Sequence, residues 1–230
     1  MKNLIVSAFI LFGAQTSFAD QTDTCGLGLA RQEFEYSPEL KVCADNGDTE
    51  AQAWLGMMYW FQADLPDDYT LVEMGLPTDI SSDLLNAMGR HLITESANQG
   101  NATAQNELGA SYMYGYNNTT IDYGLARAWL ERATEAGDFL AASGLAKIYA
   151  DGLGVEPDPE TAFLYLELSA QLGWRPARCA IDGWKLRQSL STEPVDKIPF
   201  ASEPDRFDCS GNLRPETHED KLWDKLSDSD

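Results

Sequence analysis

The sequence predicts an all-α fold of stacked antiparallel helix pairs, closed by a cap at each end. Three observations carry that reading. Glycines at 100, 137 and 173 recur at spacings of 37 and 36 residues. Small and apolar residues recur in fixed columns between them. The second half of each unit opens on an aspartate and keeps identical offsets of four, seven, eleven and fifteen: Asp122, Ala126, Trp129, Ala133, Gly137, and again Asp158, Ala162, Tyr165, Ser169, Gly173. Steps of three and four place such residues on one face of a helix.

Residues 1–19, MKNLIVSAFILFGAQTSFA, join a basic Lys2, an apolar run from Leu4 to Gly13 too short to span a bilayer, and small residues at Ser17 and Ala19. This is the pattern of a secretory signal cleaved after Ala19, leaving a mature chain from Asp20. The expected location is therefore the periplasm or the cell exterior. Four cysteines, Cys25, Cys43, Cys179 and Cys209, form an even set in an exported chain and point to two disulfides. Three pairings are open, and chain order favours Cys25–Cys43 with Cys179–Cys209. Residues 20–46 are expected to form an N-terminal capping helix held by the first bridge.

The repeat region spans 47–188. Its first helices begin Gly47-Asp48-Thr49-Glu50-Ala51 with Leu55-Gly56 and Tyr59, then Gly100 with Ala104, Leu108-Gly109 and Tyr112, then Gly137 with Ala141, Leu145-Ala146 and Tyr149. Small residues such as Gly56, Gly109 and Ala146 let helices approach closely. Asp158-Pro159 is a helix start, with Asp as N-cap and Pro at the first helical position. Glycines 100, 137 and 173 suit the left-handed position that ends a helix, and Gly152-Leu153-Gly154 makes the turn inside one unit. Gly47 stands 53 residues before Gly100, one repeat plus an insertion, and residues 61–84 are that insertion. A closing helix is expected over 174–188. Residues 189–230 form an acidic extension spaced by Pro194, Pro199, Pro204 and Pro215, with Leu222, Trp223 and Leu226 able to share one helical face.

These columns resemble the Sel-one-like repeat family, a branch of the tetratricopeptide-like helical solenoids. The family pattern is a Gly-x-x-x-Ala opening, Leu-Gly-x-x-Tyr in the first helix, Gly-x-Gly in the turn, and Ala-x-x-Trp/Tyr in the second helix. Residues 137–173 match it best, residues 100–136 match well, and residues 47–99 match in the first helix and loosely in the second. The resemblance implies a right-handed α-solenoid whose units bury their faces against one another. It also implies a protein–protein interaction module.

Charge narrows the partner. The chain carries 16 Lys+Arg against 37 Asp+Glu, a net charge of −21. Such a surface repels nucleic acid and anionic lipid, and attracts a protein with a basic surface. No catalytic constellation is visible. The two histidines, His91 and His218, stand far apart in sequence, and there is no CxxC pair, nucleophile elbow, phosphate loop or His-Glu-x-x-His motif. Acidic pairs such as Asp67/Asp68 and Glu131/Glu135 are expected by chance in so acidic a chain. No enzyme activity, cofactor or metal is expected.

The candidate contact residues are the departures from the repeat. Trp54 stands where other units carry Glu107, Gly144 and Ala180; Met57 where they carry Ala110, Lys147 and Gly183; Trp60 where they carry Met113, Ala150 and Leu186. Large apolar groups are not required in the first two columns, so Trp54, Met57 and Trp60 are expected to border a binding surface, unless the insertion or the N-terminal cap covers them. Phe61 and Tyr69 of the insertion, and Glu107 in register with Trp54, join that set. Three roles remain open. The first is a binding protein, for instance an immunity or inhibitor protein against a secreted toxic enzyme, or a periplasmic regulator. The second is a β-lactam-binding or β-lactam-hydrolysing enzyme, as implied by cysteine-rich members of the family, although no cysteine falls in 44–178 here. The third is an envelope assembly scaffold.

Overall fold

The computed structural model describes residues 24–64 and 68–190. The expected signal segment 1–19 and the extension from 191 onward, with Cys209, lie outside them. Ten helices and no strand occur among the described residues: α1 (Leu27–Glu33), α2 (Pro38–Asp45), α3 (Thr49–Asp64), α4 (Asp68–Glu73), α5 (Ser82–Asn98), α6 (Ala102–Tyr114), α7 (Tyr123–Glu135), α8 (Phe139–Asp151), α9 (Pro159–Gln171) and α10 (Arg175–Leu190). The chain divides after Asp138 into two compact units.

The start of each pair is written in its caps. Side chains of Ser81, Asn101, Asp122 and Asp158 accept hydrogen bonds from the first free amides of α5, α6, α7 and α9. The ends of α2, α5, α7 and α9 share one motif. Gly47, Gly100, Gly137 and Gly173 take φ of 90°, 93°, 92° and 115°, and paired amides bond back into the helix, as Gly137 N to Thr134 O and Asp138 N to Ala133 O do. A further device is not visible in the columns. Gln52, Gln105 and Arg178 each reach back eight residues and donate to the carbonyls of Ala44, Ala97 and Ala170 at 3.3, 3.0 and 3.4 Å. One side chain thus satisfies an orphan carbonyl at the end of the preceding helix.

In the first unit, α3 pairs with α5 and α6 with α7. A Cβ on Gly89 would lie 2.7 Å from the backbone oxygen of Gly56, and a Cβ on Gly109 2.7 Å from Leu130 Cγ. Glycine at these points is what lets the helices cross at contact distance. The fully buried Ser96 closes the open end of the first pair by donating to Thr49 O at 2.5 Å. In the second unit Ser169 does the same to Phe139 O at 2.7 Å. There α8 pairs with α9, and α10 packs on α9 around Ala146, Leu166, Trp174, Ala177 and Ile181.

The N-terminal segment differs from the single capping helix expected. It forms two helices, α1 and α2. Ser37 caps and Pro38 starts the second, and Phe34 in a left-handed conformation ends the first. Cys25 and Cys43 are bridged across the pair with a Cα–Cα distance of 5.7 Å, matching the expected pairing. Closing an 18-residue loop removes unfolded-state entropy worth about 3 kcal/mol in the loop-closure account. The insertion also differs in extent. Helix α3 continues past residue 61 to Asp64, and the insertion then folds back: Leu71 and Met74 are buried in one cluster with Leu40, Ala44, Leu55, Met58 and Tyr59.

Candidate partner-binding surface

Met57 and Trp60 prove to be packing residues. They are 5% and 3% exposed and share a core cluster with Ala104 and Leu108 of α6. Their size fills the space between the first and second helix pairs. The indole of Trp60 lies where a Gly89 side chain would be, 2.6 Å from a Cβ built there, and its Nε1–H donates to Asn86 O at 3.2 Å. A tryptophan with both faces packed and its N–H satisfied offers nothing to a partner, so the expectation of a contact role for Met57 and Trp60 is corrected. Trp54 and Phe61 are half-buried, and Phe34 stands edge-on to both, at 6.3 and 5.5 Å between ring centres. The N-terminal helices thus partly cover them. Tyr69 belongs to α4, and its side chain lies outside the described residues.

Glu107 is different. It stands on α6 in register with Trp54, part of its surface remains accessible, and its carboxyl is crowded by neighbours. Desolvation by burial, then the like charge of Asp138, raise its pKa from 4.5 to about 7, against the hydrogen bond from Tyr116, which lowers it. Burial and the Glu107 carboxylate push the Tyr116 phenol well above its ordinary value. Tyr116 in turn stands edge-on to Trp60 at 6.3 Å. Farther along α7, the Arg132 guanidinium lies 4.7 Å over the Trp129 ring, and Trp129 borders the same core cluster as Trp60 and Tyr116. The result is an acidic spot, Glu107 with Asp138, backed by aromatic rings.

Glu107 shares a repeat column with Trp54, but no local sequence signal joins Tyr116 or Asp138 to it. Both follow helix-ending glycines, Gly115 and Gly137, and only the return of the chain through those turns brings them to α6. Among the described residues no three His, Cys, Asp or Glu side chains gather as metal ligands, and no described helix is long and apolar enough to cross a membrane. His91 is exposed on α5.

Fold and surface together define a helical-repeat scaffold. The family comparison makes this specific: the Sel1 repeat model matches residues 49–71, 102–138 and 140–174. The matched residues are Sel1-like repeats, and repeats of this kind are generally protein–protein interaction modules. Among solved structures it is similar to a Sel1 repeat protein from Oxalobacter formigenes, at 28% identity over 66% of this chain and 96% of that one, with a TM-score of 0.48. It is also similar to c5321, a protective antigen present in uropathogenic Escherichia coli strains displaying an SLR fold, at 24% identity over 64% of this chain, with a TM-score of 0.41. The matched region spans 36% of that protein's length. No curated protein matches the chain.

Proposed function

We propose that this protein is an exported, non-catalytic binding module that receives a lysine or arginine of a basic protein partner at Glu107. One observation carries the reading: Glu107 stands on α6 with part of its surface accessible while its carboxyl is desolvated by its neighbours and feels the like charge of Asp138. Burying one negative charge beside another is unfavourable, and a partner's cation would reverse the sign of that interaction. Trp54 and the aromatic backing would flank the bound side chain. The chain's net charge of −21 adds long-range steering of a basic partner, with association slowing as salt rises. The signal-like residues 1–19 and the Cys25–Cys43 bridge favour an oxidising compartment outside the cytosol. Inhibition of a secreted basic enzyme is the role we favour, ahead of a scaffold in envelope assembly.

The test is affinity capture from the native periplasm at low salt, using wild type, Glu107→Gln and the exposed-site control Glu95→Gln. A specific partner held by wild type and control, and weakened about tenfold or more by Glu107→Gln, is the expected result, since a hydrogen bond to a charged group contributes on the order of 1.5–3 kcal/mol. Equal retention by Glu107→Gln, or recovery of no partner, overturns the assignment.

A further inference from the structure

The first unit carries a second polar feature. Asp83, Asn86, Arg90, His91 and Thr94 fall on one face of α5, and with Asn117 and Asn118 of the α6–α7 turn they line a cleft of about 430 Å³. The turn is held in shape by that face. Arg90 Nη2 donates to Asn117 O at 2.7 Å and Thr119 Oγ1 at 2.6 Å, and Asn118 Nδ2 donates to Asp83 Oδ1 at 2.8 Å. Asn117 and Asn118 both adopt left-handed backbone, φ 55° and 54°, a conformation that asparagine tolerates better than most residues. Asn86 is 7% exposed and its amide oxygen accepts no hydrogen bond among the described residues. Leaving such a group unmatched costs on the order of 1–3 kcal/mol.

We infer that this cleft binds a free peptide of about three residues, its ammonium end toward Asp83 and its carboxylate end toward Arg90 and His91. The seven-residue step from Asp83 to Arg90 rises about 10 Å along the helix, and three extended residues span about 10 Å. Opposite charges thus stand on one face of α5 about two helical turns apart, a rise of the same order as the length of the ligand. Between them, the side-chain amides can pair with peptide N–H and C=O groups. Net charge selects the same ligand. A chain at −21 repels a simple anion, whereas a neutral zwitterion approaches freely and is oriented by the local charges. The cleft volume falls in the range of small-molecule sites.

The test is NMR titration of the full chain with Ala-Ala-Ala, N-acetyl-Ala-Ala-Ala and Ala-Ala-Ala-amide. Free tripeptide is expected to shift amide signals of residues 83–94 and 117–119 with a Kd of about 1 mM or tighter, and either capped form to bind about tenfold more weakly, equivalent to about 1.4 kcal/mol. His91→Ala, at an exposed position, and Asp83→Asn, which keeps an oxygen for the Asn118 contact, are each expected to weaken free tripeptide severalfold while the remaining spectrum stays folded. No shift at about 10 mM peptide, shifts confined to other regions, capped forms binding as well as the free one, or both variants binding unchanged overturns the inference. Failure here leaves the Glu107 reading standing, because the two use different ligands and different residues.

Discussion

In the α3–α5 pair two glycines meet, Gly56 and Gly89, and the indole of Trp60 occupies the space a Gly89 side chain would need. In the α8–α9 pair the buried Ala146 and Ala162 take the corresponding positions, Ala150 replaces the tryptophan, and Tyr149 and Tyr165 stack at 5.7 Å. The same repeat is thus packed in two ways. Where one column loses a methyl group, another gains an indole, so that the volume between helices stays filled. An unusual residue in a repeat is therefore weak evidence for a contact surface until its neighbours are known. Trp60 answers Gly89; Glu107 is answered by Tyr116, with Asp138 opposing it.

The sharpest way to break this comparison is Trp60→Ala. Opening a cavity above Gly89 should cost about 3–5 kcal/mol, read from denaturant unfolding. The same change at Tyr165, half-buried in the second unit, should cost distinctly less. Equal losses would show that the indole-for-methyl exchange does not matter.

Glu107→Gln comes next, and its effect depends on pH. The folded pKa of about 7 lies above the ordinary carboxylate value of 4.5, so the folded state holds the proton more tightly. Stability is then full below about pH 4.5 and falls as pH rises towards and through 7. Glutamine removes that fall. The variant should be more stable than wild type by about 2 kcal/mol at pH 8 and equal to it at pH 4, by thermal or denaturant unfolding at both pH values. A stability gain joined to loss of partner binding would mark Glu107 as kept for function at the expense of the fold. No pH-dependent difference would remove the desolvated carboxyl from the account.

Asp158→Ala should have the smallest effect. Asp158 accepts from the Glu160 and Thr161 amides and the Thr161 hydroxyl, and these bonds hold its carboxyl below the usual range. Losing the cap should destabilise the start of α9 slightly, and the second unit should unfold at a slightly lower denaturant concentration.

The repeat, its period, the caps at Asp122 and Asp158 and the helix-ending glycines were all readable from the chain, because each is a local rule acting over a few residues. The Cys25–Cys43 pairing was readable for a similar reason, since the two lie close in sequence. The extents of local elements were less so. The break between α1 and α2 at Ser37-Pro38 is a local signal, an N-cap followed by proline, whereas the end of α3 was decided by burial of Leu71 and Met74 against α2 and α3.

What the sequence determined by itself is the all-α repeat, since hydrophobic period and capping chemistry are properties of neighbouring residues. What only tertiary structure decided is which large side chains face inward and which charges meet. Met57 and Trp60 went to the core because Ala104, Leu108 and Gly89 left room for them. Glu107 acquired its raised pKa because its packed neighbours desolvate it and a turn brings the like charge of Asp138 to bear on it, against the lowering hydrogen bond from Tyr116. Both outcomes depend on contacts between residues distant in sequence, and a column of aligned repeats does not contain them.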